Sequence, residues 1–152
     1  MTTTTAVPGP ASARAGRYYE DLQLGDHASR SMVVTSETIS AFAAVSGDHN
    51  PVHLDAAYAA TTVFKEPIAH GILSASYISA VLGMDLPGPG AIYLSQSLSF
   101  KAPVKAGDTV VTTVQVVELL GKRRVRIATS CAVEGKVVLD GEATMMVPSR
   151  PA

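Results

Sequence analysis

His70-Gly71-Ile72-Leu73-Ser74-Ala75-Ser76-Tyr77-Ile78-Ser79-Ala80-Val81-Leu82-Gly83 reads as a helix that is apolar nearly all round. Its polar side chains after His70 are Ser74, Ser76 and Ser79, all small. Such a helix is normally buried, because it has no face to offer to water. Pro87, Gly88, Pro89 and Gly90 then break the chain.

Downstream of this helix everything reads as strand. Residues 91–101, 109–119, 122–133 and 136–147 are rich in β-branched side chains. In the third run Val125, Ile127, Thr129 and Cys131 share one face, opposite Arg124, Arg126, Ala128 and Ser130. Gly121 and the Glu134-Gly135 pair mark tight connections between neighbouring strands. One long buried helix followed by an antiparallel meander is an α+β plan, with the sheet wrapped around the helix.

Upstream, residues 1–16 are dominated by Thr, Ala, Pro and Gly and read as a disordered tail, leaving residues 17–150 as one domain. An ordered lead-in over 18–26 ends in a Leu24-Gly25-Asp26 turn, and 28–35 is a first strand. Ser36 can cap a helix whose apolar stripe is Ile39, Phe42, Ala43 and Val45, with Gly47 suited to its end.

Composition narrows the function. The chain has 152 residues, 47% hydrophobic and 16% charged, which suits a compact soluble protein. A net charge of −1 argues against nucleic acid or an anionic membrane surface as the main partner. The single cysteine, Cys131, permits no internal disulfide and lies in a strand-like run, as a small core residue. No signal peptide and no segment of transmembrane length is evident, so the expected setting is a reducing one, the cytoplasm.

Just past the first helix stands Ser46-Gly47-Asp48-His49-Asn50-Pro51-Val52-His53, with a carboxylate, two imidazoles and a carboxamide within six residues. Pro51 lacks a backbone N–H and pushes Asn50 out of the α region, so no helix should run through both Asp48 and His53. Titratable groups on such a turn can converge on one point, as general acid–base chemistry requires. Asp48 alone would read as a turn residue bonding its own backbone, and His53 alone as a satisfied polar residue. Together they read as a site. His49 is given to the surface, and Asn50 to bracing the loop.

The second constellation is Ala69-His70-Gly71. The first N–H groups of a helix have no partner within it and sit at the positive end of the dipole, so the Gly71 N–H could receive charge developing on a carbonyl oxygen. Alone, Gly71 reads first as relief of crowding where the helix enters the sheet; beside an Asp/His turn the oxyanion reading gains. Asp48, His49, His53 and His70 also offer metal ligands, but without the one-turn spacing of a zinc-binding helix and without a cysteine, so no metal is expected. A GxSxG elbow and a phosphate-binding glycine loop are both missing from the sequence.

The run from Phe42 through Asp48-His49-Asn50-Pro51-Val52-His53 to Ala59 resembles the signature of the MaoC-like hydratases, specifically the short (R)-specific 2-enoyl-CoA hydratases of the hotdog fold. Pro67-Ile68-Ala69-His70-Gly71 and residues 92–100 are similar to the short bacterial members as well, and the match spans about residues 18–148. The resemblance implies a hotdog fold, an antiparallel sheet around a long central helix. It implies Asp48 and His53 as the catalytic pair holding a water, the Gly71 N–H as thioester oxyanion donor, Asn50 and Ser79 in support, and Leu82 on the wall of an acyl tunnel. A homodimer is implied, as is an acyl-CoA thioester as substrate, with coenzyme A part of that substrate and no separate cofactor. The implied reaction converts trans-2-enoyl-CoA to (R)-3-hydroxyacyl-CoA and links β-oxidation to polyhydroxyalkanoate monomer supply.

The residue chemistry agrees with that reaction. Water adding to a conjugated thioester pushes negative charge onto the carbonyl oxygen, and two acid–base groups on one face favour syn addition. Asp48 is assigned as base and His53 as proton donor. The alternatives, in order, are a 3-hydroxyacyl-ACP dehydratase, a thioesterase and a catalytically silent acyl-binding subunit. Lys65, Lys101, Lys105, Arg123 and Arg124 could meet either CoA phosphates or a carrier protein.

Overall fold

The computed structural model describes residues 16–152. The disordered tail expected over residues 1–16 lies outside them but for Gly16, which packs against Pro89. A 3₁₀ turn, Tyr19–Asp21, leads to β1 (His27–Val33), α1 (Ser36–Ser46), α2 (Pro51–Leu54), α3 (Ala56–Ala60) and α4 (Gly71–Met84). Five strands follow: β2 (Ile92–Gln96), β3 (Ser99–Phe100), β4 (Thr109–Gly121), β5 (Arg124–Val133) and β6 (Lys136–Met146). The strands form one antiparallel sheet in the order β1-β4-β5-β6-β2, with β3 also on β6. Helix α4 packs against β4, β5, β1 and β6, so the expected sheet around a central helix is observed.

The core follows from strand alternation. Val125, Ile127, Thr129 and Cys131 of β5 are all buried, as are Val110, Thr112, Val114 and Val116 of β4. They meet Leu73, Tyr77, Ile78, Val81 and Leu82 from α4 in one cluster. Burial of each large aliphatic side chain stabilises the fold by about 1.5–3 kcal/mol, before entropy is counted. The β5–β6 hairpin closes through Glu134 and Gly135, with φ of 49° and 78°, the geometry of a two-residue turn matched to strand twist.

Four expectations are corrected. The residue capping α1 is Thr35, whose Oγ1 accepts from the Thr38 N–H at 3.1 Å, and Ser36 is the first helical residue. The first strand therefore stops at Val33, before the cap begins. The single strand expected over 91–101 is two, β2 and β3, because Gly141 of β6 lies under the Ser97 carbonyl and the chain bends there. Finally, α4 is not buried all round: Leu73, Ser74, Tyr77, Ile78, Val81 and Leu82 are buried, but Ile72, Ser76, Ser79, Ala80, Gly83 and Met84 are exposed.

Candidate active site

Helix α1 aims the first acid. It ends at Gly47 in the left-handed conformation, φ 80°, which a residue with a Cβ rarely adopts. Ser46 Oγ donates to the Phe42 carbonyl at 2.7 Å and accepts from the Asp48 N–H at 3.1 Å, fastening Asp48 to the helix end. Asp48 Oδ1 accepts from the Asn50 N–H at 3.1 Å, leaving Oδ2 free to face inward. Asn50 caps α2, its Oδ1 accepting from the Val52 N–H at 3.1 Å, and Pro51 takes the first helical position, where no N–H is needed. Asn50 thus joins the Asp48 turn to the start of α2. His49 is exposed, its Nδ1 3.2 Å from the Gly47 carbonyl oxygen.

His53 sits on the turn of α2 with its side chain 10% exposed. Its Nδ1 lies 2.7 Å from the Ile68 carbonyl oxygen, which can only accept, so Nδ1 carries the proton and donates. Nε2 then faces Asp48 Oδ2 across 4.0 Å. That separation is too long for a direct hydrogen bond, yet an oxygen atom could sit at about 2.8 Å from both groups.

His70, the residue before α4, completes the cluster. It is 3% exposed, and its Nε2 donates to the Asp48 carbonyl oxygen at 2.9 Å. Its ring stacks on that of His53, centroids 3.8 Å apart at 28°, and tilts against Phe42 at 4.8 Å. Nδ1 of His70 is buried without a hydrogen-bond partner among the described residues. Such an atom costs about 1–3 kcal/mol. Asp48, His53 and His70 hold their donor atoms within 4.8 Å of one another. In stacked rings the nitrogen lone pairs lie in near-parallel planes, and two of the four ring nitrogens are spent on carbonyl oxygens, a pattern suited to a hydrogen-bonded network more than to a shared ion.

Next to His70, Gly71 opens α4 and lines a cavity of about 520 Å³. The other walls include Phe64, Ile68, Ile72, Phe100, Val104, Val138 and Leu139, with Lys101 also at the lining. As the first residue of the helix, Gly71 has an N–H with no intrahelical acceptor. A Cβ on Gly71 would stand 2.6 Å from Phe100 Cε1, so the crowding reading and the oxyanion reading both have a physical basis. Leu82, expected on a tunnel wall, is instead fully buried in the core and contributes nothing to this cavity. Ser79 is exposed about 12 Å along α4 from Gly71, at 1.5 Å per residue, and lines neither cavity nor acid–base pair.

The structure thus joins Asp48, His53, Asn50 and Gly71, and adds His70 and Phe100, which sequence reasoning did not assign to the reaction. The available signal for His70 was its place directly before the first glycine of an apolar helix.

Comparison with known proteins places the chain in a family. Residues 24–142 match the family model of the MaoC-like domain. The chain is 55% identical over 134 residues to an (R)-specific enoyl-CoA hydratase of Rhodospirillum rubrum, covering 88% of this chain and 93% of the relative. It is 48% identical to a 3-hydroxybutyryl-CoA dehydratase of Methylorubrum extorquens, covering 88% and 85%. Among solved structures, the unliganded R-hydratase from Pseudomonas aeruginosa superposes with a TM-score of 0.85 at 51% identity, covering 89% of this chain and 88% of that one. The fold is the hotdog fold.

Proposed function

Since the chain belongs to the MaoC-like family, we propose that it is an (R)-specific enoyl-CoA hydratase, adding water across trans-2-enoyl-CoA to give (R)-3-hydroxyacyl-CoA. The observation that carries the proposal is the 4.0 Å gap between Asp48 Oδ2 and His53 Nε2, joined through His70 to Gly71, which lines an apolar cavity.

A water in the gap donates one hydrogen bond to Asp48 and meets His53 with its other side. As its oxygen bonds C3, the water's proton passes to Asp48, and the C2–C3 π electrons move toward the thioester oxygen. The Gly71 N–H stabilises that oxyanion, a contact whose loss costs about 3–4 kcal/mol elsewhere. C2 then takes a proton from His53 Nε2, which requires the ring to be doubly protonated, since Nδ1–H is held by Ile68. The two groups are close enough to share these roles. With both on one face of the substrate, the hydrogen and hydroxyl add syn. Coenzyme A is part of the substrate, and no further cofactor enters the scheme.

Lys101 at the cavity lining, with Lys65 on a flanking segment, supports a phosphate-bearing carrier such as CoA, whereas Lys105 is paired with Glu66 at 3.2 Å. The dehydration direction uses the same groups in reverse, and likeness to the M. extorquens 3-hydroxybutyryl-CoA dehydratase favours a CoA thioester for it too. A homodimer is supported by the exposed small-residue face of α4 and by edge strand β2, where Ile92, Tyr93 and Leu94 are exposed. A supporting role for Ser79 rests on the family resemblance alone, since Ser79 does not line the cavity. No helix among the described residues is long and apolar enough to cross a membrane, in keeping with action in the cytoplasm.

Chiral analysis of the 3-hydroxybutyryl product made from crotonyl-CoA tests the proposal. The (R) product is expected; the (S) product, or free CoA, overturns it.

A further inference from the structure

We propose that His70 is a positioning residue for the reaction, holding the Asp48 loop and the His53 ring in the separation that admits a water. This inference rests on the assignment of Asp48 and His53 as the acid–base pair. One side chain reaches every part of the site: its Nε2 donates to the Asp48 carbonyl at 2.9 Å, its ring lies against His53 at 3.8 Å, and its backbone leads directly into Gly71.

Other restraints leave this one work to do. The Asp48 side chain is half exposed, and its loop is fastened otherwise only by local bonds to Ser46 and Asn50. Together with the Asn50 cap they fix the turn against α2, but none of them reaches α4. The His70 bond, spanning 22 residues in sequence, ties the turn to the start of α4. His53 is held in its ring plane by Ile68 and pressed face-on by His70, so neither imidazole can swing without moving the other.

The buried nitrogen argues in the same direction. Nδ1 of His70 has no hydrogen-bond partner among the described residues, and a phenylalanine would fill the space against Phe42 and His53 without that penalty. Stability alone therefore does not account for a histidine here. The Nε2–H that reaches Asp48 is what a phenylalanine would lack.

The test compares His70→Phe, which keeps an aromatic ring and removes the donor, with His70→Gln, whose amide can reach the same carbonyl. With crotonyl-CoA, His70→Phe should lower kcat about 10²-fold with KM within about threefold, since misplacing reacting groups by about 1 Å costs that much. His70→Gln should recover kcat to within about tenfold of wild type. Crystal structures supply a readout independent of substrate: in His70→Phe the Asp48–His53 separation should depart from 4.0 Å by about 1 Å, and in His70→Gln it should return. Inactive wild type with these shifts would fault the hydratase reading and leave the positioning role intact. A folded His70→Phe with normal kcat and an unchanged gap overturns the proposal. So does a His70→Gln as impaired as Asp48→Asn, which remains decisive if His70→Phe does not fold.

Discussion

The ring of Phe100 occupies the space that a side chain on Gly71 would need, with Cε1 and Cδ1 at 2.6 and 2.8 Å from the position of a Cβ. Phe100 is 54% exposed and belongs to the two-residue strand β3, so its ring can move outward at little cost. Gly71 therefore sets how close any ligand in the cavity can come to the start of α4.

Gly71→Ala should leave the fold nearly as stable as wild type, with the Phe100 ring displaced. The added methyl would stand between the thioester oxygen and the N–H, and kcat/KM should fall about 10²-fold. Steady-state kinetics beside a thermal melt separate the two effects. Unchanged kinetics would remove Gly71 from the oxyanion site.

Gly141 contrasts with Gly71 because backbone, not a movable ring, crowds it. A Cβ there would collide with the carbonyl of Ser97, whose N–H in turn donates to the Glu142 carbonyl at 2.9 Å. Gly141→Ala should destabilise the protein by about 1–3 kcal/mol, as overpacking does. At about 2–4 °C per kcal/mol for a chain of this size, Tm should drop roughly 2–12 °C. Differential scanning calorimetry reads this directly, and an unchanged Tm would refute the close approach.

Cys131 and Tyr77 link stability to alkaline pH. Burial pushes the Cys131 thiol above its ordinary 9.0 and the Tyr77 phenol above its ordinary 10.0. The unfolded chain therefore loses these protons first as pH rises. The stability they contribute is fully present below about pH 9, the unfolded thiol's range, and is lost as pH climbs through the raised folded values. Urea midpoints should decline above that pH, and a thiol reagent at pH 8 should label Cys131 only as fast as the protein unfolds. Rapid labelling of native protein would contradict the burial.

Much of this was written in local pattern. The alternation of β5, the left-handed end at Gly47 and the capping Asn50-Pro51 pair each follow from neighbours within a few residues. What escaped was tertiary. Whether Thr35 or Ser36 caps α1 depends on where β1 releases the chain, and the break between β2 and β3 depends on Gly141, more than 40 residues away. Leu82 shows the same limit: helical periodicity places it on a face of α4, but only the sheet decides that this face is core rather than cavity. His70 gave little local sign of its role, because its partner is a backbone carbonyl 22 residues earlier.

The central claim is that Asp48 and His53 work together on a water across their 4.0 Å gap. The measurement that tests it most directly is the enoyl absorbance of crotonyl-CoA with wild type and with Asp48→Asn, while a thiol reagent monitors free CoA. Wild type should abolish the absorbance without releasing thiol, and the folded variant should be about 10²–10⁴-fold slower. Release of thiol by wild type, or a near-normal rate from Asp48→Asn, would contradict the account.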